Sequence, residues 1–460
     1  MEFPSFFRIE DVVMVPLCLL IIYAIAYSIR RKYNKTVLKQ YFFPGLFSRL
    51  IVVVVYAALI EFYYNGQGDT SIYYQAVLDM HKAIDEDLSM LKDIYLQLTI
   101  DQTGRLFPYF AYDEIGGYTQ YVIADSRNFI VPRFGFIFSM VFFKSYLCLS
   151  FFISFFAFAG CWRMFKVFYS LYPHLHKKAA IACLYLPSVI FWGVGLVKDS
   201  ICIGALGFFF YALYSIFFRR KKIPASVAIA ILSGLLLFNV KPYIFLCFTS
   251  AFVLWIFLHF SKLIKDKTLR SVATFMFAVV GSVATYFLVQ YFTETELSSH
   301  LGAENLLDAV AQQQKVFEQN AATGGSFRIS RFDNTLTGFL LLFPEGIGTT
   351  LFRPFPWEIR NPLMLLSALE AFGFLIITIK CFREIGFFKT FSMIFSDRTT
   401  LMFFVYSILF AGLIGITTPN FGSLVRYKIP CLPFYAMMIF IVMDRSGKFS
   451  PNYIFSKRYF

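Results

Sequence analysis

The chain has 460 residues, of which 58% are apolar and only 15% are charged, whereas soluble globular proteins average about 25% charged residues. This composition excludes an ordinary soluble enzyme. Apolar runs long enough to cross a ~30 Å hydrocarbon layer recur along the chain and predict an all-α polytopic membrane protein. The net charge of +14 does not indicate a nucleic-acid partner, because the basic residues lie in short loops between the apolar runs.

Eleven apolar runs are predicted to span the membrane within a single integral-membrane domain, 1–460. These runs are 12–29, 49–64, 137–162, 179–196, 200–218, 225–239, 243–260, 271–292, 363–380, 399–417 and 429–443.

The charge bias between the connecting loops predicts the orientation of these spans. With the amino end outside, the inside segments are 30–49, 163–178, 219–222, 261–270, 380–398 and 444–460. They hold 26 of the 42 Lys and Arg residues but 4 of the 28 Asp and Glu residues. The two long outside loops, 61–133 and 293–362, hold 10 Lys and Arg residues and 19 Asp and Glu residues. Because basic residues concentrate on the cytoplasmic side, the amino terminus is predicted to lie outside and the carboxyl terminus in the cytoplasm.

The first outside loop begins with the stretch 68–74, where Asp69 and Tyr73 are spaced i, i+4 on a predicted helix. At the rim of the bilayer these two side chains could hold a polar ligand; the alternative is an aromatic belt beside a solvated carboxylate. An acidic helix is predicted from Asp79 to Leu98. Further along, Asp113 and Glu114 are either catalytic carboxylates or a solvated acidic pair.

Three basic positions follow at predicted outer ends of spans. Arg133 precedes the region 134–162, which Lys144 interrupts and which is read as a short interfacial helix followed by a tilted span. Lys198, next to Asp199, lies where the fourth and fifth spans meet, and Lys241 precedes the early helical residue Pro242. The alternative for Lys198 and Asp199 is a local charge pair at a helix end.

The second outside loop contains an amphipathic helix candidate, 301–317, and an apolar piece, 334–348, that is too short to span and suggests a re-entrant or interfacial element. Arg353 follows within an aromatic segment, where it either binds a ligand or snorkels. Glu370 places a carboxyl group inside the ninth span, which is expensive unless it faces a functional interior or a partner. Arg426 and Lys428 either bind a ligand or anchor the last helix.

Basic side chains at the boundary between water and lipid suit a phosphate, and carboxylates beside them suit general-base catalysis or metal coordination. Together they predict a site for a lipid-linked phosphate or diphosphate. No cysteine pair has metal-ligand spacing, so no cofactor is assigned; a divalent metal ion held by the carboxylates is the one cofactor left open. No nucleotide-binding glycine motif occurs.

The stretch 68–74, Val131-Pro132-Arg133, Lys198-Asp199 and Lys241-Pro242-Tyr243 make the chain resemble membrane glycosyltransferases of the GT-C superfamily. That resemblance implies a general base at Asp69 and a polyprenyl-phosphate sugar donor bound by Lys241, Arg353 and Arg426. In the carboxyl half, the segments Phe352-Arg353-Pro354-Phe355-Pro356-Trp357-Glu358 and Gly422-Ser423-Leu424-Val425-Arg426-Tyr427-Lys428 also resemble O-antigen polymerases and ligases. That resemblance implies lipid-diphosphate donors.

The expected function is therefore a glycosyltransferase of the bacterial inner membrane that acts on the periplasmic side in cell-envelope polysaccharide or glycoconjugate synthesis. Its partners would be a polyprenyl-phosphate-linked donor, a glycan or lipid acceptor and membrane lipids. The predicted catalytic residues are Asp69, Asp113 and Glu114, and the predicted substrate-binding residues are Tyr73, Arg133, Lys198, Lys241, Arg353, Glu370, Arg426 and Lys428. A polymerase of lipid-linked repeat units, a transporter or flippase for a lipid-linked glycan, and a non-catalytic assembly subunit are the alternatives.

Overall fold

The described part of the chain is α-helical. The computed structural model describes residues 3–113, 115–117, 119–261, 265–266, 268–269, 272, 327, 330, 336–359 and 362–448. In chain order its helices are α1 Asp11–Arg31, α2 Lys39–Ala58, α3 Asp69–Glu86, α4 Met90–Leu96, α5 Phe107–Ala111, α6 Gln120–Ala124, α7 Ser126–Ser139, α8 Tyr146–Leu171, α9 His176–Ala180, α10 Pro187–Phe191, α11 Lys198–Tyr214, α12 Ile223–Val240, α13 Pro242–Phe260, α14 Leu336–Phe352, α15 Pro362–Ile385, α16 Phe387–Ser396, α17 Arg398–Thr417, α18 Phe421–Tyr427 and α19 Leu432–Ser446.

Eight described helices are long and apolar enough to cross a membrane, and a bent pair makes up to nine. They are Asp11–Arg31, Lys39–Tyr63, Tyr146–Leu171, Lys198–Arg219, Ile223–Val240, Pro242–Phe260, Met364–Ile385 and Arg398–Thr417, and the bent pair is α18 with α19. Because a ~30 Å hydrocarbon core needs about 20 apolar residues, the chain is a multi-pass membrane protein.

Some predicted spans differ from these helices, and others lie where the structure describes no residues. The prediction 179–196 is not one helix, since a π-helical turn at Ile181–Tyr185 and Pro187 divide it into short pieces. The second span begins at Lys39 rather than at residue 49. The predicted span 271–292 and the predicted helix 301–317 lie outside the described residues.

The first outside loop also folds differently from its prediction. The acidic helix expected from Asp79 to Leu98 is two helices: α3 begins at Asp69, and the chain breaks before α4. The cause is Asp87, whose carboxylate accepts hydrogen bonds from the backbone N–H and the hydroxyl of Ser89, both at 2.8 Å. Such local bonds compete with helix formation.

The region around Lys144 is divided into α7 and α8, with Phe143 and Lys144 in the left-handed region between them. Residues 336–348 of the predicted apolar piece lie in α14, a helix of 17 residues that continues to Phe352. Helix α13 begins at Pro242, the position expected of a proline in the first helical turn.

The chain divides into two units, Met1–Val167 with Val189–Lys241, and Phe168–Ser188 with Pro242–Phe460. Each unit contains a close helix crossing made by glycines. In the first unit, a Cβ atom on Gly160 of α8 would overlap the backbone of Gly204 in α11. In the second unit, a Cβ atom on Gly415 of α17 would overlap the backbone of Gly346 in α14. Small residues allow such close approach between membrane helices.

Candidate functional site

The second unit holds a buried ammonium group at a break in an apolar helix. Helices α18 and α19 meet at an angle of 64°, and Lys428 lies at the break with 1% of its surface exposed. Its Nζ atom donates a hydrogen bond to the Arg353 carbonyl oxygen at 3.0 Å. A lysine has three N–H donors, and the other two find no hydrogen-bond partner among the described residues. The break therefore presents donors inside an otherwise apolar region.

The guanidinium group of Arg353 is already paired. Its Nε atom donates to both carboxylate oxygens of Glu358, at 3.0 and 3.2 Å, and its Nη2 atom also donates to Glu358. The rings of Phe327 and Phe421 lie beside the guanidinium carbon at 4.4 and 5.2 Å. Because Glu358 and the aromatic rings fix the residue, its carbonyl oxygen is held where Lys428 binds. The structure thus supports a positioning role for Arg353.

Glu370 lies within α15, as its place inside a predicted span indicates. The backbone N–H of Ser188, at the start of α10, donates to Glu370 Oε2 at 2.9 Å, and Ser188 Oγ lies 3.1 Å from Ser367 Oγ. Glu370 Oε1 is buried and has no hydrogen-bond partner among the described residues. The carboxyl group is within electrostatic range of Lys428. One oxygen of a buried carboxyl group is therefore left without a donor.

A second charged cluster lies in the first unit. Lys241 Nζ lies 2.5 Å from Asp199 Oδ1, and both side chains are buried. The partner of Asp199 in this pair is Lys241, 42 positions further along the chain, and not the adjacent Lys198 that the alternative of a local charge pair names. Lys198 instead lies within electrostatic range of Asp125 and Arg127. This arrangement links the starts of α7 and α11 to the end of α12.

Asp125 caps the amino end of α7, where the Arg127 backbone N–H and the Arg127 Nε atom donate to its carboxylate at 2.9 and 3.0 Å. Burial opposes ionisation of this group, but the hydrogen bonds from Arg127 and the nearby charge of Lys198 hold the pKa of Asp125 below its usual value. Asp125 is therefore a carboxylate that offsets the positive charge around Lys198.

Asp69 is the first residue of α3, and its side chain is exposed to solvent. Tyr73 is buried, and its hydroxyl donates to Asn128 Oδ1 at 3.3 Å. The ligand-holding role of these two residues stays a prediction, and Asp69 and Arg353 belong to different units.

Asp113 is occupied by its own loop. It accepts hydrogen bonds from the backbone N–H groups of Ile115, Gly117 and Thr119 at 3.1, 2.5 and 3.2 Å. The hydroxyl of Thr119 adds a fourth bond at 2.5 Å. These hydrogen bonds show that Asp113 anchors its own loop. Glu114, the predicted catalytic residue next to it, lies outside the described residues.

Arg133 lies on α7 and is buried against the segment that follows α4. Its guanidinium carbon lies 3.7 Å from the ring centroid of Phe129, and its Nη2 atom donates to the Gln97 carbonyl oxygen. Burial lowers the pKa of Arg133 to about 10. These contacts indicate a structural role for Arg133 within the first unit rather than phosphate binding.

Sequence reasoning missed two buried ionisable groups. Arg49 lies inside α2, where it donates to the Gly193 carbonyl oxygen and to Cys161 Sγ, both at 3.1 Å. The sequence carried a signal, because aromatic and apolar residues begin at Tyr41 and continue to Phe47, so that Arg49 lies within an apolar run. Asp79 lies on α3 and is fully buried. The sequence did not indicate this burial, because the acidic residues near Asp79 are typical of a solvated helix.

Three of the predicted binding residues, Arg353, Glu370 and Lys428, come together in the second unit, with the partly buried Arg426 two positions before Lys428. Among the described residues, no group of three or more His, Cys, Asp or Glu side chains could hold a metal ion. Comparison of the chain with protein-family models, curated proteins and solved structures gives no match.

Proposed function

We propose that this protein is a glycosyltransferase of the bacterial inner membrane that takes a sugar from a polyprenyl-phosphate-linked donor on the periplasmic side and passes it to a glycan or lipid acceptor. In this orientation the amino terminus is periplasmic and the carboxyl terminus cytoplasmic. The product would serve cell-envelope polysaccharide or glycoconjugate synthesis. The observation that carries the proposal is the buried ammonium group of Lys428 at the break between α18 and α19, beside Glu370.

A buried charge in a membrane protein is expensive and marks a functional interior by default. Two N–H donors of Lys428 find no partner in the part of the chain that the structure describes, and an ammonium group is a suitable partner for a phosphate oxygen. Arg353 contributes by fixing Lys428 through its carbonyl oxygen, since Glu358 takes its guanidinium group. Arg426, in the last turn of α18, is the second cation assigned to the donor phosphate.

A polymerase that joins lipid-linked repeat units is the second candidate. The two segments that carry the resemblance to O-antigen polymerases, around Arg353 and around Arg426, are in contact through the bond from Lys428 to Arg353. Joining repeat units and adding one sugar would use the same cations, so the product rather than the site separates these functions.

Transport of a lipid-linked glycan is supported by a different observation. Arg49 in α2 and Glu370 in α15 are charged side chains within apolar helices, and transporters place such residues along substrate pathways. A transporter moves its substrate without breaking a covalent bond, which makes the distinction experimental.

The test is reconstitution of the purified protein in liposomes with polyprenyl-phosphate sugars and, separately, polyprenyl-diphosphate repeat units. Transfer of one sugar supports the glycosyltransferase, a ladder of products supports the polymerase, and movement of intact lipid without either supports the transporter. A protein that gives neither sugar transfer nor a ladder with any of these donors contradicts the proposal.

The matched variants are Lys428→Met and Lys389→Met. Lys389 is exposed on α16 of the same unit, so its loss should leave transfer unchanged, whereas K428M should lower transfer by about 100-fold, as the removal of an electrostatic donor does in other enzymes. Because the resemblance assigns the general base to Asp69, Asp69→Asn is tested separately. Loss of transfer would support Asp69 as the base, and unchanged transfer would place the base elsewhere. Unchanged transfer by K428M would remove Lys428 from the site.

A further inference from the structure

The two oxygens of the Glu370 carboxyl group differ in their hydrogen bonding. Oε2 accepts from the Ser188 backbone N–H at 2.9 Å, while Oε1 is buried without a partner among the described residues. A buried acceptor without a donor costs about 1–3 kcal/mol, and more when it is charged. Such a group persists in a fold when something else in the working protein supplies the donor.

The nearest described cation does not fill this position. Lys428 and Glu370 interact electrostatically, but these two described residues form no direct ion pair within 4.0 Å. Lys428 Nζ is instead held by Arg353 O at 3.0 Å. The result is an acceptor oxygen and an ammonium group that share a buried region without satisfying each other. A ligand hydroxyl can do both, because it donates one hydrogen and accepts another.

We propose that Glu370 is the general base of the transfer reaction and that Oε1 binds the acceptor's hydroxyl group; this assignment rests on the proposed function. The acceptor is thereby identified by class as an alcohol, such as a sugar hydroxyl. The hydroxyl oxygen forms a bond to the anomeric carbon of the donor, and the bond from that carbon to the phosphate oxygen breaks. The lipid phosphate leaves with the electron pair beside Lys428, and the hydroxyl proton passes to Glu370 Oε1.

The surroundings suit Glu370 better than Asp69 for this step. A carboxylate in a buried site exchanges its water shell for fixed protein groups, and this strengthens its interaction with a bound hydroxyl. Glu370 is fixed by Ser188 and lies near a cation, whereas Asp69 has an exposed side chain at the start of α3. These surroundings therefore favour Glu370, in the second unit, over Asp69, in the first unit, as the general base.

The test compares Glu370→Gln with Glu384→Gln in liposomes that carry the polyprenyl-phosphate sugar on which the wild-type protein is active. Glu384 lies exposed on the same helix, α15, and its variant should keep the wild-type rate. E370Q preserves the shape of the side chain but cannot accept the proton. We expect its kcat to fall about 100-fold or more while its KM for the donor stays within a factor of about three, because Lys428 is untouched.

A further arm distinguishes the base from a structural role. Glu370→Asp retains the carboxylate, so its kcat should lie between those of E370Q and the wild type. A wild-type kcat in E370Q overturns the assignment while the proposed function stands. Should E370Q fail to fold, an unchanged kcat in E370D would overturn it equally, since a shortened base is misplaced. Absence of transfer in the wild type overturns the proposed function itself.

Discussion

Replacing Asp79 with asparagine should make the protein more stable at neutral and alkaline pH. Asp79 is fully buried on α3, where Oδ1 accepts from Gln75 Nε2 at 2.9 Å and Oδ2 lies 3.3 Å from Thr119 Oγ1. The same hydroxyl lies 2.5 Å from Asp113 Oδ2 and 3.0 Å from the Phe110 carbonyl oxygen. One hydroxyl hydrogen cannot serve three acceptors. A proton on Asp79 solves the problem, because Asp79 then donates to Thr119 and Thr119 donates to Asp113.

The pKa of Asp79 agrees with the protonated carboxyl group that these hydrogen bonds require. Burial, followed by the nearby charge of Asp113, raises the pKa of Asp79 to about 7, against the opposing hydrogen bond from Gln75 and the charge of Lys82 at 3.9 Å. An unfolded chain has a value of about 3.9, and the difference corresponds to about 4 kcal/mol. Between about pH 4 and pH 7 the unfolded chain has lost this proton while the folded protein retains it. The free energy of unfolding therefore falls as pH rises through this window, and the loss is complete above about pH 7.

The asparagine side chain reproduces the protonated carboxyl group, since its amide donates to Thr119 while its oxygen accepts from Gln75. The melting temperatures of D79N and of the wild type should therefore be nearly equal near pH 4. Near pH 8, D79N should melt clearly above the wild type. The measurement is thermal unfolding in detergent from pH 4 to pH 8.5. Because both proteins share all other groups, the difference isolates Asp79.

Asp85→Asn is the matched control with the opposite sign. Asp85 lies on the same helix, and the hydrogen bond from Lys144 at 2.9 Å lowers its pKa. Its stabilising effect is present above the unfolded pKa and is lost as pH falls, and it is small because both side chains are exposed. A D79N difference that is flat across the pH range, or that favours the wild type at pH 8, would refute the shared-proton arrangement.

Two predictions concern the remaining features of the first unit. Lys241→Met leaves the charge of Asp199 buried, which should lower the free energy of unfolding by about 3–5 kcal/mol. The double variant with Asp199→Asn should recover most of the melting temperature. A K241M protein as stable as the wild type would contradict the ion pair. Gly160→Leu should abolish folding, seen as loss of the monodisperse peak in size-exclusion chromatography, because a side chain there overlaps the backbone of Gly204. Gly348→Ala is its control, since nothing lies within 4 Å of the added Cβ, and a well-folded G160L would disprove the close crossing.

The long helices were predictable because their signal is local. About 20 apolar residues in succession are needed to cross the hydrocarbon layer, and such a run is visible without knowing what it packs against. The start of α13 at Pro242 was predictable for the same reason, since a proline lacks the N–H that the first turn leaves unpaired. The break at Asp87 was not, because it depends on a side chain folding back onto Ser89 and competing with the helix.

The partners of the charged residues could not be predicted in this way. The sequence identified Lys241 as a basic residue at the outer end of a span and Glu370 as a costly charge within one. Their partners, Asp199 and the Ser188 backbone, are 42 and 182 positions away in the chain. Sequence distance carries no information about which of several carboxylates faces a given cation. The same difficulty hid Asp79, whose burial follows from the packing of α3 against α7 and not from its acidic neighbours.

The two buried charge clusters differ in a way that separates stability from function. In the first unit, Lys241 and Asp199 meet at 2.5 Å, so each charge compensates the other and the pair fixes the end of α12 to the start of α11. In the second unit, Lys428 and Glu370 are within electrostatic range yet form no ion pair with each other, and the described residues leave hydrogen-bonding capacity of each unused. Removing one partner of a closed pair strands a charge and destabilises the fold. Neutralising Glu370 removes a charge that the fold leaves half-satisfied, so E370Q should melt at or above the wild-type temperature while K241M melts below it. Stability and transfer would then respond in opposite directions at Glu370, which is the behaviour of a group kept for a ligand rather than for the fold.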